Sequence, residues 1–252
     1  ISFTEALQHF QSTELSESRG KAWVPGRWGG LAALLRCLRG PPRLRPQLLR
    51  ERELALAMAQ CALDNSERVH MRILQTIYRQ LTCSRLGCPR YGAHWEELGF
   101  QGRTRGELWS NPLPGEIPGP IPKIQLKLPW SNSVLSQLPQ PLPRRLFQLS
   151  LHNAGILVLF QNFPFCIMSV NITRIVIQAL REERLSRECN RRQQVIGVLN
   201  DLYAAAFLRL FRLWKRQHGT IADAGFFLKE LELSTKKKPR QLLKSLEAYV
   251  SR

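Results

Sequence analysis

Nine prolines fall between Pro112 and Pro143. Proline fixes φ and removes a backbone donor, so this density excludes a long helix or a central strand across the middle of the chain. On both sides apolar residues recur at helical spacing, and no strand-like alternation of useful length appears outside the proline-rich stretch. The sequence therefore predicts an all-α fold: a single helical domain interrupted by an irregular proline-rich segment at residues 103–160.

The helical text falls into distinct elements. Phe3, Leu7 and Phe10 make Ser2–Phe10 a short amphipathic segment, residues 16–30 read as a loop, and Leu31–Leu38 reads as a helix stopped by Gly40-Pro41-Pro42. Pro46 suits a first helical position, and Leu49, Leu54, Met58, Ala59, Cys61 and Ala62 supply an apolar stripe behind it. Ser66 is expected to cap the next helix, in which Val69, Ile73, Ile77 and Leu81 recur every fourth residue. Beyond the prolines, a helix is predicted from Phe165 to Glu183 and a long one from Arg191 to His218. Thr220 and Asp223 read as the start of a helix at Ile221–Leu233, and Pro239 opens a last one carrying Leu242, Leu243, Leu246 and Tyr249. Residues 1–45 form an N-terminal extension and residues 46–252 the main domain.

The 252 residues are enough to bury a sizeable core. The chain starts at Ile1 and not at methionine, which reads as a fragment lacking its N-terminus; no charged start runs into an apolar stretch as in a secretory signal. The longest apolar run near the middle, Ile156–Phe160, is far short of the ~18 residues that span a bilayer. Six cysteines, Cys37, Cys61, Cys83, Cys88, Cys166 and Cys189, show no C-x-x-C pairing. Cys83, Cys88 and His94 lack a finger's spacing and a fourth ligand, so no metal and no cofactor is expected.

Thirty-seven Lys and Arg against nineteen Asp and Glu give a formal charge of +18. The cations are spread along the chain without interleaved aromatics, so a basic nucleic-acid-binding module rests on charge alone. The sharpest clusters, Lys236-Lys237-Lys238-Pro239-Arg240 and Arg43-Leu44-Arg45, read as solvated helix edges or loops, the first equally as a nuclear-import patch. A field of this sign also speeds encounter with acidic protein surfaces and anionic membranes.

Chemistry concentrates at His94-Trp95-Glu96-Glu97-Leu98-Gly99-Phe100-Gln101-Gly102. Trp95 and Phe100 suit a buried corner, Gly99 a tight turn, and Gln101 a backbone hydrogen bond. The run resembles the signature of the ELMO domain family, W-E-x-I/L-G-F-Q-G followed by x-N-P-x-T-D-x-R-G. Further similarity lies in Gln161-Asn162-Phe163-Pro164-Phe165-Cys166 and in the stretch from Met168 to Asn190. The resemblance implies a helical ELMO domain that activates GTP hydrolysis on a partner, an Arf-like or Arf small GTPase in its GTP-bound form, and is not an enzyme with a substrate of its own. It also implies a cytoplasmic protein associated with the cytoskeleton or membranes.

The resemblance further implies a catalytic arginine nine positions after Gln101, where this chain has Ser110. A guanidinium donates two parallel hydrogen bonds to phosphate oxygens and neutralises charge on the transferring group, worth ~10³–10⁵ in rate. The nearest Arg-Gly is Arg105-Gly106, which makes Arg105 the candidate finger. Two readings of residues 103–160 stay open. One is a natural proline-rich loop presenting polyproline II, through Pro118-Gly119-Pro120 or Pro139-Gln140-Pro141, to an SH3-like partner. The other is a shifted frame, retained intron or alternative exon replacing the family's helical text. A non-catalytic scaffold, docking through its C-terminal helices, is the rival to GTPase activation. There is no G-x-x-x-x-G-K-S/T, so the chain binds no nucleotide through a P-loop. The sequon Asn171-Ile172-Thr173 falls in helical text and is expected to be unused.

Overall fold

Apolar periodicity becomes helix throughout the computed structural model, which describes residues 1–12, 42–61, 64, 66–82, 87 and 165–251. Among these residues every α or strand element is an α-helix: α1 (Phe3–Ser12), α2 (Pro46–Gln60), α3 (Arg68–Thr82), α4 (Phe165–Arg181), α5 (Ser186–Arg192), α6 (Ile196–Arg216), α7 (Ala224–Lys237) and α8 (Pro239–Val250). A 3-10 turn, Ile221–Asp223, leads into α7. The predicted helix at Leu31–Leu38 lies outside the described residues.

Helix α6 is the centre of the described residues. Val198, Leu199, Leu202, Tyr203, Phe207, Leu210 and Trp214 are all buried, and so is the small run Ala204-Ala205-Ala206 between them. A helix apolar on most faces is stable only when surrounded, and α2, α4, α5, α7 and α8 all pack on this one. Met168, Ile172, Ile175, Val176 and Ala179 of α4 and Phe227 and Leu231 of α7 face it, and Leu242, Leu243 and Leu246 of α8 join the same core. At the other end α1 lies across α2 and α3, burying Ala6 and Phe10.

Polar ties join segments far apart in sequence. Asn190 accepts a hydrogen bond from the Arg45 backbone N–H (2.9 Å) and donates one to the Arg43 carbonyl (2.8 Å), fastening the entry to α2 onto α5. The buried Glu188 carboxylate accepts from Arg191 at 2.7 Å and lies 3.8 Å from Arg240 at the start of α8. A buried carboxylate is costly unless paired, and these guanidinium groups supply the compensation. Arg192 reaches both Asp201 and Glu247.

Three details differ from the sequence expectations. In α2 the buried face is Leu48, Ala55, Met58 and Ala59, whereas Leu49 is 41% exposed, so the stripe is rotated by one position at its start. Ser66 does not provide the expected cap. Its hydroxyl donates to Asp64 Oδ1 at 2.8 Å, and α3 begins at Arg68. The helix predicted from Arg191 to His218 is broken, because Gln193 adopts left-handed φ 54° and ψ 33°. The Gln194 N–H then bonds back to the Cys189 carbonyl at 3.3 Å, a terminating geometry that ends α5 before α6 starts.

Candidate functional site

The motif residues Trp95, Glu96, Gly99, Phe100, Gln101 and Gly102, the candidate finger Arg105 and its alternative position Ser110 all lie outside the described residues, as do Cys83, Cys88, His94 and the proline-rich stretch. The sequon is different. Asn171 sits within α4, and the buried Thr173 hydroxyl donates to the Ser169 carbonyl at 2.9 Å, so the tripeptide is core-facing helix and not a presented loop.

Among the described residues, a groove of about 980 Å³ opens between α6, α7 and α8. Six cations line it, Arg209, Arg212, Lys215, Arg216, Lys237 and Lys238, against one carboxylate, Glu230. Arg209, Arg212 and Arg216 are spaced three and four residues apart, which places them on one face of α6. Glu230 is held by Arg209 at 2.9 Å. Arg212 donates to the Ser245 hydroxyl at 3.1 Å, and its guanidinium lies 5.3 Å from the Tyr249 ring centroid, a cation–π arrangement that fixes α8 against α6. Leu213 and Leu242 form an apolar floor.

The mouth of the groove is set by the sharp link from α6 to α7. His218 has φ 51°, and the Gly219 N–H returns to the Trp214 carbonyl at 2.9 Å. A Cβ at Gly219 would come within 2.5 Å of the Phe227 ring, so glycine is needed for this close approach. The Trp214 and Phe227 rings, 5.4 Å apart, then lock the two helices together. Asp223 accepts from both the N–H (2.9 Å) and the hydroxyl (2.7 Å) of Thr220, and these bonds hold its carboxyl below the usual carboxylate range. The pairing read in sequence as a helix start is therefore present, followed by one 3-10 turn before α7.

The lysine-rich run divides its work. Lys236 turns away from the groove to sit between Glu182 (2.7 Å) and Glu232 (2.8 Å). Hydrogen bonds to Glu182 and Glu232 raise the Lys236 ammonium above its ordinary value. Burial works to raise Glu182, but the bonds from Lys236 and Gln178 outweigh it and the group is lowered; for Glu232 the Lys236 bond leads the lowering. Lys237 and Lys238 face the groove, and Arg240 leans toward Glu188. Reading the run as one solvated patch missed this division. The arginine face of α6 was also passed over, although its three-and-four spacing opposite the apolar stripe was a usable signal.

Comparison with known proteins adds the lineage. The family model described as ELMO/CED-12 family matches residues 53–105 and 137–228. ELMO domain-containing protein 3 from Bos taurus is 50% identical over 251 residues, that from Homo sapiens 50% over 252, and that from Mus musculus 48% over 251. Each alignment covers all of this chain, which spans 62% of the length of these relatives. No solved structure matches. With the family model matched over more than half its length, the chain belongs to the ELMO/CED-12 family.

Proposed function

We propose that this chain regulates small GTPases in the cytoplasm, raising the rate of GTP hydrolysis on an Arf-like or Arf partner in its GTP-bound form. The observation that carries the reading is the family match over residues 53–105, which contains the Trp95–Gly102 signature and ends at Arg105. In this reading the chain contributes a single guanidinium to the partner's nucleotide site and binds no nucleotide of its own. Arg105 is the proposed finger, and Gln101 positions the loop that carries it. The resemblance implies the family's arginine at the position held here by Ser110, so catalysis in this reading depends on Arg105 reaching the phosphates from five residues earlier.

That same substitution supports a second reading, a non-catalytic scaffold that keeps the helical docking surface without the finger. Single-turnover GTP hydrolysis by Arf-like GTPases separates the two. Acceleration by the wild-type chain that is lost in Arg105→Ala supports the finger. Acceleration that survives Arg105→Ala keeps the activator and removes Arg105 from it. No acceleration, with binding retained, leaves the scaffold.

A further inference from the structure

The groove between α6, α7 and α8 carries a chemistry that the GTPase reading does not use, and half of its wall lies beyond residue 228, where the family match ends. Its volume, about 980 Å³, is that of a recess for a compact ligand or headgroup. Its single carboxylate, Glu230, is engaged by Arg209, and six cations against that one carboxylate leave the lining strongly positive over low-dielectric walls that focus the field. Arg212 and Arg216, one turn apart on α6, offer planar forks suited to phosphate, and Lys237 and Lys238 offer point charges from the α7–α8 junction. One phosphate is too small to engage cations that line a recess of this size from both α6 and the α7–α8 junction. Several phosphates on one small scaffold can.

A second observation sets where such a ligand comes from. Leu233, lining the groove, is 48% exposed, and Phe226, on the same face of α7 about two turns earlier, is 64% exposed. Large apolar side chains held in water beside a cationic recess are the arrangement by which proteins seat at a bilayer interface, the cations meeting headgroups and the apolar groups entering the acyl boundary. Among the described residues no helix is long and apolar enough to cross a membrane.

We propose that this groove receives a polyphosphorylated inositol headgroup of an anionic membrane lipid, with Phe226 and Leu233 seated in the bilayer interface. The inference is independent of GTPase activation. The test is sedimentation of the full chain with vesicles of phosphatidylcholine alone, with added phosphatidylserine, or with phosphatidylinositol bisphosphate at matched surface charge. Arg216→Glu/Lys237→Glu reverses two exposed groove cations; Arg50→Glu/Arg187→Glu makes the same charge change outside the groove, and circular dichroism checks that both fold. The expected result is preference for the bisphosphate vesicles, weakened about tenfold or more by the groove pair and no more than about twofold by the outside pair. Free inositol hexakisphosphate is expected to compete with those vesicles. Equal loss in both pairs, or equal binding to phosphatidylserine vesicles, overturns the proposal in favour of net charge alone. Binding of free inositol hexakisphosphate with no binding to vesicles overturns the membrane source. Preference for a poly-glutamate peptide over every vesicle overturns it in favour of an acidic protein segment.

Discussion

The Glu51 carboxylate on α2 accepts the backbone N–H of Ile196 at 2.8 Å, capping the first turn of α6 from a helix 145 residues earlier in the chain. Helix N-termini leave donors unmatched and carry partial positive charge, so an anionic acceptor there stabilises both. Glu51→Ala is expected to lower stability by about 1 kcal/mol, and Glu51→Gln by less because its amide oxygen still accepts. Equilibrium urea unfolding of the two variants measures the difference. An unchanged midpoint in Glu51→Ala would contradict the cap.

Gly219 is the second sensitive point. Adding one methyl there drives it into Phe227, which is buried and locked against Trp214, so the ring cannot simply move aside. Gly219→Ala is expected to cost about 1–3 kcal/mol, the range for overpacking a tight core. A thermal melt indistinguishable from wild type would show that the α6–α7 link has slack.

The Lys236 bridge gives the molecule a pH dependence of defined sign. Glu182 and Glu232 are lowered in the folded state, so their contribution is complete above the ordinary carboxylate value of ~4.3 and is lost as pH falls through the depressed folded values. Lys236 is raised, so its contribution is complete below ~10.4 and is lost as pH rises through the raised value. Lys236→Met is expected to destabilise by about 0.5–1 kcal/mol at neutral pH. Its deficit relative to wild type should shrink as unfolding is repeated toward pH ~3; a constant deficit would assign the loss to packing.

Thiol chemistry separates buried cysteines from ordinary ones. Burial, with Glu51 adding to it, pushes the Cys189 thiol up to about 12, and burial followed by Asp64 and Glu67 raises Cys61. The thiolate is the reacting species, so Cys189 should alkylate roughly a thousandfold more slowly than an unfolded cysteine at pH ~8. Mass spectrometry of iodoacetamide-treated protein, native and in denaturant, reads each site separately. Rapid native labelling of Cys189 would mean that α5 opens readily.

Much of the fold was legible because its strongest signals are local. Pro46 and Pro239 start α2 and α8, and Thr220 with Asp223 marks the entry to α7. The misses have physical causes of a different kind. Nothing local distinguishes Gln193 in the left-handed region from Gln193 in a helix, since glutamine has no strong preference for it. Leu48 and Leu49 are equivalent in sequence, and the packing of distant helices, α1, α4 and α6, against α2 decides which is buried. The groove was illegible as a place because it joins Arg209 to Lys238 across two turns of chain, although each of its cations was visible singly.

Helix α6 is the wall on which α2, α4, α7 and α8 are all built, and it occupies residues 196–216 of the chain. The order of synthesis and the order of assembly therefore run against each other. When α2 has been made, the α6 surface on which it packs has not. The apolar face of α2 must wait for α4 and α6, partners distant in sequence, which makes closure slow and makes the early chain a natural client for holding chaperones.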